Sequence, residues 1–140
     1  MVQDPLRKFP GYALRRASNA FLSDLTPRLA ELDLRLTEAS ILTVIRANPN
    51  ITQSEIGKLL SIASANVAPI IGRLDERGLL ERVRVDGRSH GLCLTDQGSH
   101  LAKQALGIME AQEVRLLQRI PPEHRDGFVE LINGLWDYED

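Results

Sequence analysis

The architecture of this chain is set by residues 52–95, which read TQSEIGKLLSIASANVAPIIGRLDERGLLERVRVDGRSHGLCLT. Thr52 and Glu55 match a capping box, in which each residue satisfies a backbone donor of the other at the start of a helix. A second helix is predicted from about Ser64, and Gly78 supplies its stop. Two short helices joined by a tight turn form the helix-turn-helix unit.

A β-hairpin is predicted directly after this helix pair. Hydrophobic and polar residues alternate on both sides of Asp86-Gly87, which is a strong local signal for a two-residue turn. That turn pairs Val85 with Arg88, places the valines and leucines of the two strands on the core face, and turns the arginines away from it. Asp86 is also placed to pair with Arg88. A hairpin after a helix-turn-helix makes a winged helix.

Helical periodicity continues on both sides of this region. A first helix with a kink at Pro27 and a second with Thr37 as N-cap precede it. After the hairpin, Thr95 caps a long helix, and a final helix follows within residues 123–140. The predicted fold class is therefore mainly α with a small β-hairpin wing.

Composition excludes several classes of protein. With 140 residues, 43% hydrophobic and 26% charged, the chain is expected to form one globular domain. A net charge of -2 argues against a non-specific polycationic coat, although a local basic surface suffices for DNA binding. The single cysteine cannot form an intramolecular disulfide, and neither a signal peptide nor a membrane span is readable, so we expect a cytoplasmic protein.

No catalytic or metal-binding pattern is readable. The three histidines (His90, His100 and His124) lie on different predicted elements without metal-ligand spacing. There is no nucleophile–base pair and no Gly-rich phosphate loop, so we expect neither an enzyme nor a cofactor. Cys93 lies between two leucines, which favours an ordinary packed thiol over a redox-sensing one.

The second helix of the pair has an outer face of small side chains followed by Arg73. Such a face lets a helix approach the DNA major groove, where Asn66 could bond an adenine edge. The alternative is that Ser64 and Asn66 only cap the helix. Pro69 predicts either a helix start as late as Asn66 or a distorted first turn, because an interior proline costs about 3 kcal/mol.

The hairpin tip carries Arg88, which is expected to enter the minor groove, where A·T-rich sequences concentrate negative potential. Arg82 and Arg84 are expected to contact phosphates. The alternative is a hairpin edge that is charged only to prevent strand-to-strand aggregation. The candidate DNA contacts are Thr52, Gln53, Ser64, Ala65, Asn66, Ala68, Arg73, Arg82, Arg84 and Arg88.

The chain resembles the MarR family of bacterial and archaeal transcription regulators. The matching features are TQSE-I-LL, RL-x-x-x-GL-x-x-R from Arg73 to Arg82, the wing's D-x-R and LT-x-x-G from Leu94, together with PGYALRRASNAF and LTEASILTVI near the start. The resemblance implies a homodimer that reads an inverted repeat, and repression relieved by a small, often phenolic or aromatic acid. Pro69, where a polar residue is commoner, and Gly87, which makes the wing tip less basic, depart from the pattern.

The resemblance also implies a ligand site between the dimerisation and DNA-binding regions. Polar residues of the first two helices are the candidates, and an arginine among them could neutralise a carboxylate. A solvated helix face or interhelix salt bridges are the alternative for each. The candidate ligand residues are Tyr12, Arg15, Arg16, Asn19 and Ser40.

Terminal helices outside a winged helix must bury their apolar stripes, and an identical chain is the simplest partner. Intrachain packing is the alternative. The candidate dimer residues of the last helix are Phe128, Leu131, Ile132, Leu135 and Trp136. The preceding helix offers Leu101, Ala105, Ile108, Met109 and Leu116.

One domain is expected over residues 10–138. Its regions are an N-terminal dimerisation and ligand helix (1–36), the winged helix-turn-helix (37–96) and C-terminal dimerisation helices (97–140). The expected function is a homodimeric, sequence-specific repressor that a small aromatic acid releases from DNA. The alternatives are a winged-helix protein-interaction module without specific DNA binding, or a redox sensor acting through Cys93.

Overall fold

The computed structural model describes residues 1–137, which form six α-helices and a three-stranded antiparallel sheet of order β1-β3-β2. The elements are α1 (Pro10–Ala30), α2 (Leu36–Ala47), β1 (Ile51–Thr52), α3 (Gln53–Leu60), α4 (Ser64–Glu76), β2 (Leu80–Arg84), β3 (His90–Leu94), α5 (Asp96–Arg119) and α6 (Phe128–Asn133), with a short 3-10 helix (Pro122–His124) before α6. The predicted mainly helical fold with a small wing is confirmed.

The capping box at the start of α3 is present as predicted. The hydroxyl of Thr52 accepts from the Glu55 N–H at 3.2 Å, and the Glu55 carboxylate accepts from the Thr52 N–H at 3.1 Å. The bond from the Thr52 N–H, and after it a bond from the Thr52 hydroxyl to the same carboxylate, hold the pKa of Glu55 below its usual value. Thr95 caps α5 in a similar way, because its hydroxyl accepts from the Gly98 N–H at 3.0 Å.

The helix α4 begins at Ser64, so the predicted late start at Asn66 is wrong. The Ala63 carbonyl accepts from the N–H groups of both Asn66 (2.8 Å) and Val67 (3.1 Å), which closes the first turn tightly. Pro69 consequently lies in the second turn, where it removes one helix hydrogen bond. Burial of Val67 and of the residues that follow on its face holds the helix together despite this loss.

The end of α4 is a Schellman motif. The Gly78 N–H donates to the Asp75 carbonyl at 2.9 Å and the Leu79 N–H to the Leu74 carbonyl at 3.1 Å. Gly78 adopts φ 71°, the left-handed conformation that glycine tolerates. The predicted glycine stop is confirmed.

The predicted wing register is wrong by one residue. Arg84 pairs with His90, and the Val85 N–H donates to the Ser89 carbonyl at 3.1 Å, so the loop contains three residues instead of two. Because a one-residue slip reverses the faces of a strand, Val83 and Val85 are exposed instead of buried. The predicted faces are therefore reversed for the first strand, whose arginines share a face with the leucines of β3.

The third strand was not predicted. β1 pairs with β3 through Ile51 opposite Leu92, and the Asn50 N–H donates to the Leu92 carbonyl at 3.0 Å. Leu92 is buried, whereas the outer end of the wing is exposed. The pairing therefore anchors the base of the wing to the start of the helix-turn-helix.

The second helix begins two residues earlier than predicted. Arg35 is its N-cap position, and the Glu38 carboxylate accepts from the Arg35 N–H at 2.9 Å. The assignment of Thr37 as N-cap is wrong because Glu38, three residues after Arg35, reaches back to that backbone donor. The first helix runs unbroken to Ala30, with Pro27 in its last turn.

The core lies between the second half of α1, α2, the helix-turn-helix, the base of the wing and the first half of α5. Ala105 is fully buried there, and Leu101, Ile108 and Met109 pack against it. Intrachain packing thus accounts for Ala105, whereas it covers Leu101, Ile108 and Met109 only in part, and their place in a dimer surface stays a prediction.

The last helix is shorter than residues 123–140, and none of its residues is buried. Leu131, Leu135 and Trp136 have exposed fractions of 64%, 55% and 67%. The end of the predicted C-terminal region, residues 138–140, lies outside the described residues. Within residues 1–137, no helix combines the length and the hydropathy that a membrane crossing requires.

Candidate nucleic-acid interface

The outer face of α4 presents small, exposed side chains. Neither Ser64 nor Asn66 makes a side-chain hydrogen bond within residues 1–137, and the N-cap position belongs to Ala63. The interpretation that Ser64 and Asn66 only cap the helix is therefore wrong. Ala65 and Ala68 are also exposed, so the helix backbone can come close to another surface.

The wing tip is ordered by Asp86. Its carboxylate accepts from the backbone N–H groups of Arg88 and Ser89, both at 2.8 Å. These bonds, that of Arg88 first, hold the pKa of Asp86 below its usual value. The predicted pairing of Asp86 with Arg88 is thus made through the Arg88 backbone, and the Arg88 guanidinium has no hydrogen bond or ion pair with any residue of the described chain.

The two other wing arginines, Arg84 and Arg82, each make one weak interaction within the chain. The Arg84 guanidinium donates to the Gly87 carbonyl at 3.4 Å, a long bond within the wing. Arg82 Nε lies 3.5 Å from the Asp75 carboxylate, and both side chains are about half exposed (47% and 46%). Such a pair contributes little to stability, so it leaves Arg82 available to another partner.

The remaining predicted DNA contacts are partly buried or already interact with other residues of the chain. The Thr52 hydroxyl donates to Glu55 at 2.9 Å and accepts from the N–H of that residue, so it is used by the cap. Gln53 is half-buried at the first position of α3. Arg73 Nε lies 3.9 Å from the buried carboxylate of Glu38.

Three of the predicted ligand residues meet on one side of α1. The Tyr12 hydroxyl accepts from Arg16 at 2.8 Å and donates to Asp4 at 3.2 Å. The guanidinium carbons of Arg15 and Arg16 lie 5.6 and 5.7 Å from the centre of the Tyr12 ring, within cation–π range. Tyr12, Arg16, Asp4 and Arg7 border a cleft of about 280 Å³, which Arg15 does not line.

The other two predicted ligand residues do not join this group. Asn19 is exposed on α1 and does not line the cleft. The Ser40 hydroxyl donates to the Leu36 carbonyl at 2.9 Å within α2, and Ser40 does not line the cleft either.

A larger cleft of about 480 Å³ was missed by the sequence analysis. It lies between the end of α1 and the middle of α5, with Arg28 and Arg115 as its cations and Leu32 and Ile108 on its apolar side. The two helices are some 70 residues apart in the chain, so no local pattern signals the cleft.

Neither the thiol nor the histidines form a reactive cluster. Cys93 is half-buried, and its S–H donates to the Asn50 side chain at 3.2 Å. Over residues 1–137, no group of three or more His, Cys, Asp or Glu side chains is arranged to hold a metal ion. His90, His100 and His124 are exposed on separate elements.

Comparison with known proteins gives three findings. The MarR family profile matches residues 32–89. The transcriptional repressor CouR is 30% identical in two solved structures: one bound to a 23-mer DNA duplex (TM-score 0.87, covering 96% of this chain and 97% of that chain) and one bound to p-coumaroyl-CoA (TM-score 0.84, covering 99% of each chain). The HTH-type transcriptional repressor Rv2887 of Mycobacterium tuberculosis is 25% identical over 127 residues, 89% of this chain and 91% of that protein. Its complex with salicylic acid has a TM-score of 0.71 and covers 95% of this chain and 97% of that chain.

Proposed function

This chain belongs to the MarR family of transcription regulators, and from that premise we propose that it is a homodimeric repressor released from DNA by a small organic anion. The proposal rests on the presence, in one chain, of two exposed features whose polar groups have no hydrogen-bond partner in residues 1–137. They are the outer face of α4, whose polar side chains have no hydrogen-bond partner in residues 1–137, and the unpaired Arg88 guanidinium at the wing tip. The protein is located in the cytoplasm. It acts by binding and catalyses no reaction.

The helix α4 supplies the base contacts. Residues near the start of a recognition helix meet the base edges in the major groove. Asn66 is suited to bidentate bonding with adenine, Ser64 can donate or accept, and Ala65 and Ala68 can touch thymine methyl groups. Gln53 and Thr52, at the start of α3, contribute contacts to the DNA backbone.

The wing supplies the second contact. Arg88 stands at the end of an exposed hairpin and enters the minor groove, where narrow A·T-rich sequences attract arginine. Arg84 and Arg82 contact phosphates, which fix register and affinity without reading sequence. The relative CouR was solved bound to a DNA duplex, which supports DNA as the partner.

A second copy of the chain covers the apolar surface of the terminal regions. Leu131, Leu135 and Trp136 are more than half exposed, and Phe128 and Ile132 border an apolar cleft of about 520 Å³ against the end of α5. A twofold dimer built on this surface presents two α4 helices, which suits an inverted-repeat operator. Residues 1–36 and 97–140 are accordingly the dimerisation regions that flank the winged helix-turn-helix of residues 37–96.

The effector is an aromatic acid, free or as a thioester. Arg15 and Arg16 at the Tyr12 ring offer positive charge and an aromatic face, which suit a carboxylate or phosphate on an aromatic compound. The relatives were solved with salicylic acid and with p-coumaroyl-CoA. Asn19 on α1 and Ser40 on α2 are the other proposed ligand contacts, although neither lines the cleft at Tyr12.

A gel-shift assay with DNA from upstream of the protein's own coding region tests the proposal. We expect specific retention of this fragment over random DNA of equal length, and release by an aromatic acid. Equal retention of the two fragments would favour a protein-interaction module instead. Loss of binding on oxidation that Cys93→Ser abolishes would favour a redox sensor.

A further inference from the structure

A carboxylate of α2 is buried against α4. The Glu38 side chain is only 8% exposed, and one of its oxygens accepts from the Arg35 N–H at 2.9 Å. The other oxygen lies 3.9 Å from Arg73 Nε of α4. A buried carboxylate costs free energy unless a partner compensates its charge. The cation that compensates the charge of Glu38 is thus on α4 and not on α2, the helix to which Glu38 belongs.

A second contact joins α4 to the same place. The Arg77 guanidinium donates to the Asp33 carbonyl at 2.6 Å and to the Leu32 carbonyl at 3.4 Å. These carbonyls belong to residues 31–35, which connect α1 to α2 and which we call the α1–α2 corner. Asp33 adopts φ 55°, a left-handed conformation that is uncommon for residues other than glycine. The Arg77 side chain is therefore bonded directly to the residue with the unusual backbone conformation, Asp33.

We infer that Arg73 and Arg77 are positioning residues that clasp α4 to the α1–α2 corner and to Glu38, and that Arg73 is not a DNA contact. The inference rests on the proposed function, because it states how the DNA-reading helix is held. It replaces the expectation that Arg73 contacts DNA. The clasp consists of Arg73, Arg77, Glu38 and the corner.

The position of the clasp along α4 explains why it matters for sequence reading. Arg73 lies seven residues after Asn66, which is two helical turns along the same side and about 10 Å along the axis. A contact that fixes Arg73 therefore fixes the rotation of α4 about its axis, and with it the direction of the Asn66 side chain. Loss of the clasp should impair discrimination between DNA sequences more than general attraction to DNA.

The clasp and a purely electrostatic effect predict opposite changes in DNA affinity for Glu38→Gln. Glu38 is acidic, so removal of its charge should strengthen DNA binding if only long-range electrostatics acted on the phosphates. The clasp predicts the opposite result, because Glu38→Gln weakens the hold on Arg73. Glu38→Gln thus separates the two interpretations by direction and not only by size.

The test uses the full chain with Arg73→Gln, Glu38→Gln and the double variant. Lys103→Gln is the matched control, since Lys103 is exposed on α5 and makes no ion pair in the described part of the chain. The affinity for the upstream fragment and for random DNA of equal length is measured over a series of salt concentrations. Thermal unfolding of each variant is measured without DNA.

We expect both single variants to lower affinity for the upstream fragment at least threefold, with random-DNA affinity and the salt slope unchanged. We expect each to lower the unfolding midpoint by about 3 °C, and the double variant to fall no further than the worse single variant. A salt slope reduced by about one in Arg73→Gln, with Glu38→Gln binding as tightly as the wild type or tighter, would overturn the inference.

The unfolding measurements also keep the inference separate from the proposed function. If the wild-type protein does not prefer the upstream fragment, the proposed function fails, and the unfolding midpoints still decide whether the clasp exists. Additive midpoint losses for Arg73→Gln and Glu38→Gln would overturn the clasp whatever the DNA result. Arg77→Met should lower the midpoint as well, because it removes both bonds to the corner.

Discussion

The Asp86 carboxylate holds the backbone of Arg88 at 2.8 Å and leaves the guanidinium of Arg88 without a partner in residues 1–137. Asp86 and Arg88 therefore have separate tasks. Asp86 shapes the three-residue loop, and the Arg88 side chain projects from it.

Arg88→Ala should weaken binding to the upstream fragment tenfold or more. The salt slope should fall as well, because one cationic contact to DNA is lost. Thermal unfolding should change little, since the guanidinium has no hydrogen bond or ion pair to lose within residues 1–137. Lys103→Ala provides the control for loss of a surface charge, and unchanged affinity of Arg88→Ala would refute the proposed role of the wing.

The loop that Asp86 shapes should persist in acid below the usual pKa of an aspartate. The N–H groups of Arg88 and Ser89 stabilise the ionised form and so lower the pKa of Asp86 in the folded protein. A lowered folded-state pKa means that the stabilisation is complete above the unfolded-state value and is lost as the pH falls through the folded-state value.

The backbone amide chemical shifts of Arg88 and Ser89, followed by NMR during acid titration, check this expectation. Their common midpoint should lie below 3.8, the ordinary value for an aspartate. Asp86→Asn keeps an acceptor oxygen and should preserve the loop without titrating. A midpoint at or above the ordinary value would contradict the bonding described for the loop.

The wing register can be tested by stability. Leu92 is buried under the sheet, and Val85 is 52% exposed on the opposite face. Leu92→Ala should lower the free energy of unfolding by about 2–5 kcal/mol, whereas Val85→Ala should change it by no more than about 0.5 kcal/mol. Urea denaturation measures both changes. Comparable losses would indicate the register with a two-residue turn.

The dimer surface can be tested by changing its exposed apolar residues. Leu131→Glu and Trp136→Glu should convert the dimer to a monomer, because each places a charge in a desolvated interface. Light scattering after size-exclusion chromatography measures the mass. Glu110→Gln, on the exposed side of α5, should stay dimeric. A wild-type protein that is monomeric at high concentration would refute the dimer itself.

Two glycines of α5 should respond in opposite directions to the same substitution. A methyl group on Gly98 would overlap the Leu79 carbonyl, whereas one on Gly107 would meet open space. Gly98→Ala should therefore destabilise the protein by about 1–3 kcal/mol, and Gly107→Ala should stabilise it by about 0.5–1 kcal/mol. Chemical denaturation measures both, and a Gly98→Ala variant as stable as the wild type would contradict the close approach.

Local chemistry explains what the sequence predicted well. The caps at Thr52 and Thr95 and the stop at Gly78 each depend on residues within a few positions, so their patterns are visible in the chain. The helix-turn-helix and the presence of the wing follow from these signals. The family resemblance extended them to the whole chain.

Contacts between distant segments explain what the sequence could not predict. The wing register depends on a loop hydrogen-bonded by Asp86 and on pairing between Ile51 and Leu92, which are 41 positions apart. The sequence predicts Arg73 as a DNA contact because its partner on α2, Glu38, is 35 positions away in the chain. Alternation of apolar residues could not choose between two registers that differ by one residue.

In the first half of α4, the exposed polar side chains of Ser64 and Asn66 bond to no other residue of the described chain. Ser64, Ala65, Asn66 and Ala68 are all exposed, while the helix is held from behind by buried Val67 and its neighbours. Exchange of such surface residues usually changes stability by no more than about 0.5 kcal/mol. New operator preferences are therefore accessible by single substitutions that leave folding intact, both to natural divergence among paralogues and to the laboratory design of orthogonal regulators.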